Sequence, residues 1–187
     1  MNEFSGIGVD DQISKNNAVT EPSKTDPWEK ARQYSLRYAV SEPPTSISES
    51  RYFTSDGKPT DTLILAAERV RDAATDHLPP DQLEALLVIG SYTRGTQKPT
   101  SDLDFIVKTN DLALKKKDPL MRKLLYSVNP NHSPIEIDKW LDDETYANQF
   151  DKGNFVDLFV NPWPIKGLSD DRSYDVLNDR WVELPDW

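Results

Sequence analysis

The chain of 187 residues contains no cysteine, which excludes a disulfide framework and any zinc site built from thiolates. Only two histidines are present, His77 and His132, and neither has a partner at metal-ligand spacing, so we expect both to be structural or surface residues. No apolar run is long enough to span a membrane, and the N-terminal residues lack the basic and apolar parts of a signal peptide. We therefore expect a cytoplasmic protein.

Positive charge is also scarce, with 22 basic against 32 acidic residues and a formal net charge of −10. This balance argues against broad, nonspecific binding of nucleic acid, which depends on neutralising phosphates. A local basic patch stays possible. The run Lys115-Lys116-Lys117 could receive an RNA backbone, but such a run is more typical of a solvated face.

The most informative stretch begins with a short apolar run and a glycine-serine turn. Leu86–Ile89 is continuous and apolar, as expected of a buried strand. Gly90 ends the run and lets the backbone approach a ligand without a side chain in the way. Ser91 adds a hydroxyl and a backbone N–H, a combination that suits a phosphate group.

A second apolar run opens with two acids. Residues two apart on a strand share a face, so Asp102 and Asp104 lie together while Leu103, Phe105 and Val107 cover a core. Two such carboxylates repel by roughly 3–4 kcal/mol at an effective dielectric constant of about 20. A divalent cation removes this repulsion, and Mg²⁺ prefers carboxylates together with phosphate oxygens. The stretch therefore predicts a phosphate cradle beside a metal site.

The ordered combination of Gly90-Ser91, ten residues and Asp102-Leu103-Asp104 resembles the signature of the DNA polymerase beta-like nucleotidyltransferase superfamily. That family usually carries a third acid on a later strand, and the segment 155–160 is similar to that strand, with Asp157 as the acid. The resemblance covers residues 60 to 160. It implies an α/β (α+β) nucleotidyltransferase fold, in which helices flank a small mixed β-sheet.

The resemblance also implies a reaction and a set of roles. Asp102, Asp104 and Asp157 would be the catalytic acids and would hold two Mg²⁺ ions, or Mn²⁺, for transfer of a nucleoside monophosphate from a triphosphate such as ATP. The nucleotide-binding residues would be Gly90, Ser91, Arg94 and Lys98. For Arg94 and Lys98 the alternative is an ordinary surface position in a loop.

The acceptor is less defined, and three hypotheses remain. An RNA 3′ end is favoured; AMP transfer to a protein hydroxyl, as in the small nucleotidyltransferases paired with toxins, is the second. The third is an inactive nucleotide-binding or interaction module with the same fold. A toxin–antitoxin system, or a domain of a larger exported toxin, would be a fitting setting. The sequence does not indicate which base is chosen.

Glu136 and Asp138 are alternatives to Asp157 as the third acid, because they alternate with isoleucines on a candidate strand over residues 135–138. Asp157 is favoured, since its neighbours Val156, Leu158 and Val160 form an unbroken apolar face that turns Asp157 to the other side. Lys139 could also neutralise Asp138 without a metal. Trp140 and Trp163 flank this region and are expected to pack as core or lid residues, with stacking on a nucleobase as the alternative.

Apolar spacing and capping residues predict the helices. They are expected at Trp28–Val40, Thr62–His77, Asp81–Ala85, Asp111–Ser127 with an interruption at Pro119, and Asp142–Phe150. We expect residues 1–50 to be a flexible N-terminal segment with a possible short helix, dispensable for the fold, and residues 51–187 to be the nucleotidyltransferase domain. Whether the helix at Trp28 docks on the domain stays open.

Overall fold

The computed structural model describes residues 26–35, 39–40, 42–44, 47–150, 152–162 and 172–183. Its helices are α1 (Glu29–Ser35), α2 (Asp61–His77), α3 (Ser91–Arg94), α4 (Pro119–Val128), α5 (Pro134–Asp142) and α6 (Glu144–Ala147). Its strands are β1 (Leu83–Ile89), β2 (Leu103–Thr109), β3 (Val156–Pro162), β4 (Arg172–Asp175) and β5 (Arg180–Glu183). Within this part of the chain no helix combines the length and the apolar character that a membrane crossing needs.

The five strands form one mixed sheet in the order β3-β2-β1-β4-β5. Strands β1 and β2 are antiparallel, as are β1 and β4 and the hairpin of β4 and β5, whereas β2 and β3 are parallel. The parallel pair requires a crossover connection, which α4, α5 and α6 provide. The expected α/β class, a small mixed sheet flanked by helices, is confirmed.

Helix α2 forms where the sequence predicts it. The Thr60 side chain accepts a hydrogen bond from the backbone N–H of Leu63 and so caps the first turn. The apolar side chains of α2 share one buried stripe, which joins the same core cluster as β1, β2 and α4. The predicted members of this stripe are all buried: Leu63, Ala66, Ala67, Val70 and Ala74.

The two faces of the sheet differ in how they are covered. Phe105 and Val107 point into the large core beneath α2 and α4. Ile106 points to the opposite face, where the apolar cluster is much smaller and includes Leu87. Because side chains alternate along a strand, Asp104 shares the face of Ile106, away from the large core. The sheet therefore presents its acids on the less covered side.

The strand predicted at residues 135–138 is wrong, because this segment lies inside helix α5. Ser133 and Glu136 form a capping box: the Ser133 hydroxyl accepts from the Glu136 N–H, and the Glu136 carboxylate accepts from the Ser133 N–H. Pro134 occupies the first helical position, where its missing N–H costs nothing. These local signals outweigh a four-residue alternation of apolar and acidic side chains.

Three other helix predictions need correction. The short helix expected at Asp81–Ala85 is a 3₁₀ turn at Pro80–Gln82, after which β1 begins at Leu83. The pattern over residues 111–127 is helical only from Pro119, which starts α4. The helix expected over residues 142–150 is confined to the four residues of α6.

The Trp28 segment packs on the domain. The Trp28 side chain is 2% exposed, and its ring Nε1 donates a hydrogen bond to Thr75 Oγ1 at 2.9 Å. Ala31 is fully buried beside the same core. The helix does not reach Val40 as predicted, because Ala39 forms an antiparallel bridge with Val182.

These contacts contradict the expectation that residue 28 and its neighbours are dispensable for the fold, since a buried tryptophan contributes several kcal/mol, roughly 3–5 by truncation to alanine. Residues 1–25 lie outside the described part of the chain. The division of the chain at residue 50 therefore stays a prediction.

Candidate active site

Strand register brings the three predicted acids together. Ile89 at the end of β1 lies opposite Asp104 of β2, and Asp104 lies opposite Asp157 of β3 in the parallel pair. One carboxylate oxygen from each of Asp102, Asp104 and Asp157 lies within 4.8 Å of the others. Three convergent carboxylates offer only oxygen ligands, a set that suits Mg²⁺ or Mn²⁺.

The turn after β1 requires a glycine for two reasons. Gly90 has a φ of 87°, in the left-handed region that side chains rarely adopt. A Cβ atom at this position would also collide with Oδ2 of Asp104. The Thr93 hydroxyl donates to the Gly90 carbonyl at 3.0 Å and fixes the turn. The absence of a side chain is therefore what lets the Gly90 backbone lie directly against the acid.

The charge on Asp104 is costly in the isolated protein. Burial, and secondarily the neighbouring carboxylate of Asp102, raise the pKa of Asp104 to about 7. The charges of Lys116, Lys152 and Arg94 act in the opposite direction. A divalent cation would favour the ionised carboxylate, so the residues present fit such an ion.

Two lysines that the sequence did not assign to the site lie on the acids. The Lys116 ammonium contacts Asp157 Oδ1 and donates to the Leu158 carbonyl at 3.0 Å. The Lys152 ammonium lies 3.2 Å from Asp102 Oδ2. Burial lowers the pKa of Lys116 to about 7, although Asp104 and Asp102 raise it.

The position of Lys116 follows from the backbone before α4. The Leu114 N–H donates to the Val160 carbonyl at 2.9 Å and forms an antiparallel bridge with β3. Lys116 then lies beside β3 with its side chain half-buried, whereas Lys115 and Lys117 are exposed. The solvated face expected for all three lysines is therefore wrong for Lys116. Three identical neighbours carry no sequence signal that singles out the middle one.

Trp140 lies beside both lysines. The Lys152 Nζ is 5.4 Å and the Lys116 Nζ 5.6 Å from the centre of the Trp140 ring, distances typical of cation–π contacts. The Trp140 ring also packs on Phe155, with ring centres 4.7 Å apart. Trp163, paired with Trp140 in the sequence interpretation, lies outside the described residues.

The predicted nucleotide-binding residues follow the glycine turn. Ser91 begins the single turn of α3 and is half-buried, and Arg94 ends it with an exposed side chain whose charge acts on Asp104. Lys98 is exposed, and its backbone N–H donates to Ser101 Oγ at 2.9 Å. Their roles toward a nucleotide stay predictions.

The rival acids have other partners. Asp138 accepts hydrogen bonds from the Arg122 guanidinium and, at 2.6 Å, from the Tyr126 hydroxyl. The Tyr126 hydrogen bond is the main cause that lowers the pKa of Asp138. Glu136 is engaged in the cap of α5. Arg122, and not Lys139 as expected, is thus the partner that neutralises Asp138.

Among known proteins, a family model described as a nucleotidyltransferase domain matches residues 68–154. The match includes the glycine turn, Asp102 and Asp104, but it ends before β3. The assignment of Asp157 therefore depends on the sheet register and not on the match. Neither the curated proteins nor the solved structures contain a match to the chain.

Proposed function

We propose that the chain, whose residues 68–154 match a nucleotidyltransferase domain consistent with the DNA polymerase beta-like type, transfers a nucleoside monophosphate from a nucleoside triphosphate to a hydroxyl acceptor. The observation that carries this proposal is the convergence of Asp102, Asp104 and Asp157 on adjacent strands beside the Gly90 turn. Three carboxylates this close repel one another, so their convergence contributes no stability by itself.

The acids would hold two Mg²⁺ or Mn²⁺ ions, which when bound neutralise the triphosphate and lower the pKa of the attacking hydroxyl. Asp102, Asp104 and Asp157 would hold these ions through their carboxylate oxygens. The backbone at Gly90 would let the phosphates approach closely, and the Ser91 hydroxyl would donate to them. Arg94 and Lys98 would add positive charge along the triphosphate.

The contribution of the protein is position and charge. The triphosphate must be held so that the acceptor hydroxyl attacks in line with the departing pyrophosphate. Because the acids are fixed on two paired strands, little reorganisation is needed when charge develops in the transition state. No side chain has to form a covalent bond to the nucleotide in this scheme.

We favour an RNA 3′ end as the acceptor. A terminal ribose hydroxyl needs only local contacts, which agrees with a chain whose net charge is −10. Because the same net charge disfavours extended contact with nucleic acid, the alternative is AMP transfer to a hydroxyl of a partner protein. A toxin–antitoxin system or a larger exported toxin would be a fitting setting, and the absence of cysteine is compatible with both.

Label transfer tests the proposal. The protein is incubated with each α-labelled nucleoside triphosphate, Mg²⁺ and a whole-cell extract, with chelator as the control. We expect label in RNA; label in protein would instead establish the alternative acceptor. Label in neither fraction with all four triphosphates would contradict the transferase proposal and favour an inactive module with the same fold.

A further inference from the structure

Two lysine side chains of the same chain form ion pairs with the acidic triad. Lys116 pairs with Asp157, and Lys152 pairs with Asp102, so that two of the three acids have an ammonium partner. Both lysines come from loops, one before α4 and one before β3. The charges of both lysines also lower the pKa of the third acid, Asp104.

The Lys116 ammonium is fixed by more than its acid. It donates to the Leu158 carbonyl at 3.0 Å, and its Nζ lies 3.9 Å from the centre of the Phe159 ring. Asp157 is held as well, because its Oδ1 accepts from the Leu158 N–H at 2.8 Å. The pair therefore has a defined geometry, and charge-assisted hydrogen bonds of this kind are the strong ones.

We propose that Lys116 and Lys152 are the resident counter-ions of the triad, which a divalent cation must displace from the carboxylates. They are positioning residues that set the cation affinity of the site and keep the acids together before a cation arrives. This inference depends on the proposed function, because it takes the triad to be a metal site.

Trp140 provides an alternative contact for the lysines once a metal has displaced them from the acids. Its ring lies within 5.6 Å of both ammonium groups, and a cation–π contact remains available after the carboxylates have bound a metal. Each lysine can therefore remain beside the site, where the triphosphate of the proposed substrate carries negative charge. On metal binding, the two ammonium groups thus exchange their carboxylate partners for the Trp140 ring and the phosphates.

The test is Mn²⁺ affinity, measured by calorimetry without nucleotide. Lys116→Met should bind Mn²⁺ about tenfold more tightly than the wild type, the effect of removing one charge-assisted hydrogen bond that competes with the ion. In chelator the melting temperature of this variant should be lower than that of the wild type, because the acids lose a counter-ion. Addition of Mn²⁺ should restore the melting temperature. Lys116→Arg keeps the charge and should resemble the wild type.

Lys117→Met is the matched control, because this neighbouring lysine is 67% exposed and pairs with Asp142, away from the triad. It should leave Mn²⁺ affinity unchanged. Lys152→Met provides a second variant and should also bind Mn²⁺ more tightly. Equal or weaker Mn²⁺ binding by folded Lys116→Met and Lys152→Met would overturn the inference alone. A wild-type protein that binds no Mn²⁺ would overturn the metal site, and the proposed function with it.

Discussion

Asp104→Asn should abolish nucleotide transfer and, in metal-free buffer above neutral pH, stabilise the protein. The activity should fall by a factor of about a hundred or more, as expected for loss of a metal ligand's charge. The stability gain arises because partial burial and, secondarily, the charge of Asp102 raise the pKa of Asp104 to about 7, which makes its ionised form costly. Asparagine has a similar shape and no charge.

The pH dependence of this gain follows from the direction of the shift. The carboxyl of Asp104 has a pKa near 4 in the unfolded chain and about 7 in the folded protein. Between these values the folded state binds the proton and the unfolded state does not, so wild-type stability falls as the pH rises. The variant should equal the wild type below about pH 4 and exceed it by about 2 kcal/mol at pH 8, a discounted value for a shift of about three units.

Urea unfolding in chelator from pH 4 to pH 8 measures this gain. Asp76→Asn is the control, because this carboxyl is exposed on α2 and is not one of the three clustered acids; it should change neither activity nor stability. A stability difference between Asp104→Asn and wild type that does not grow with pH would contradict the stated cause.

Asp157→Asn should also abolish transfer, whereas Asp138→Asn should leave activity within a few-fold. Asp157 is 7% exposed and lies in register with Asp104, so its charge acts directly on the proposed metal site. We expect the change in the free energy of unfolding to be small, about 1 kcal/mol or less, since loss of the pair with Lys116 offsets relief of repulsion.

Asp138 provides the matched contrast. Its partners Arg122 and Tyr126 belong to α4, so Asp138→Asn should weaken the packing of α4 on α5 by about 1 kcal/mol. Steady-state transfer and thermal melting of both variants measure the two effects. If Asp138 were essential and Asp157 dispensable, the third metal ligand would have to be moved to α5.

The structure of residues 86–107 is predictable because strong local signals coincide there. A continuous apolar run, a glycine and two acids at a spacing of two residues specify strand, turn and face together. Gly90 illustrates this: the sequence indicates a close backbone approach, and the structure shows that a side chain would strike Asp104. The face on which Asp157 lies was also predictable, because Leu158 and its apolar neighbours occupy the opposite face of the strand.

The errors occur where short patterns are ambiguous. Four residues at 135–138 alternate like a strand, yet one buried residue, Ile137, is equally compatible with a helix. The cap at Ser133 was the signal that would have decided it. The β4–β5 hairpin was missed because its strands have four residues each; its turn ends at Asp179, whose φ of 51° shows the left-handed backbone that Asp tolerates.

The two lysines of the site could not have been found from the sequence. Lys116 is separated from Asp157 by 41 positions and Lys152 from Asp102 by 50, and each pair is formed only by the sheet and its crossover. The same applies to Trp28, whose burial depends on the distant Thr75. Contacts of this kind are set by topology and not by local pattern.

Triphosphate affinity with and without metal tests the central claim most directly. We propose that the carboxylates of Asp102, directly before β2, Asp104 on β2 and Asp157 on β3 bind a nucleotide through divalent cations. Without a cation, the acids repel the phosphates. In calorimetry we predict measurable binding of at least one nucleoside triphosphate with Mg²⁺ or Mn²⁺, and affinity at least about tenfold weaker in chelator. Equal affinity in metal and in chelator would contradict the account.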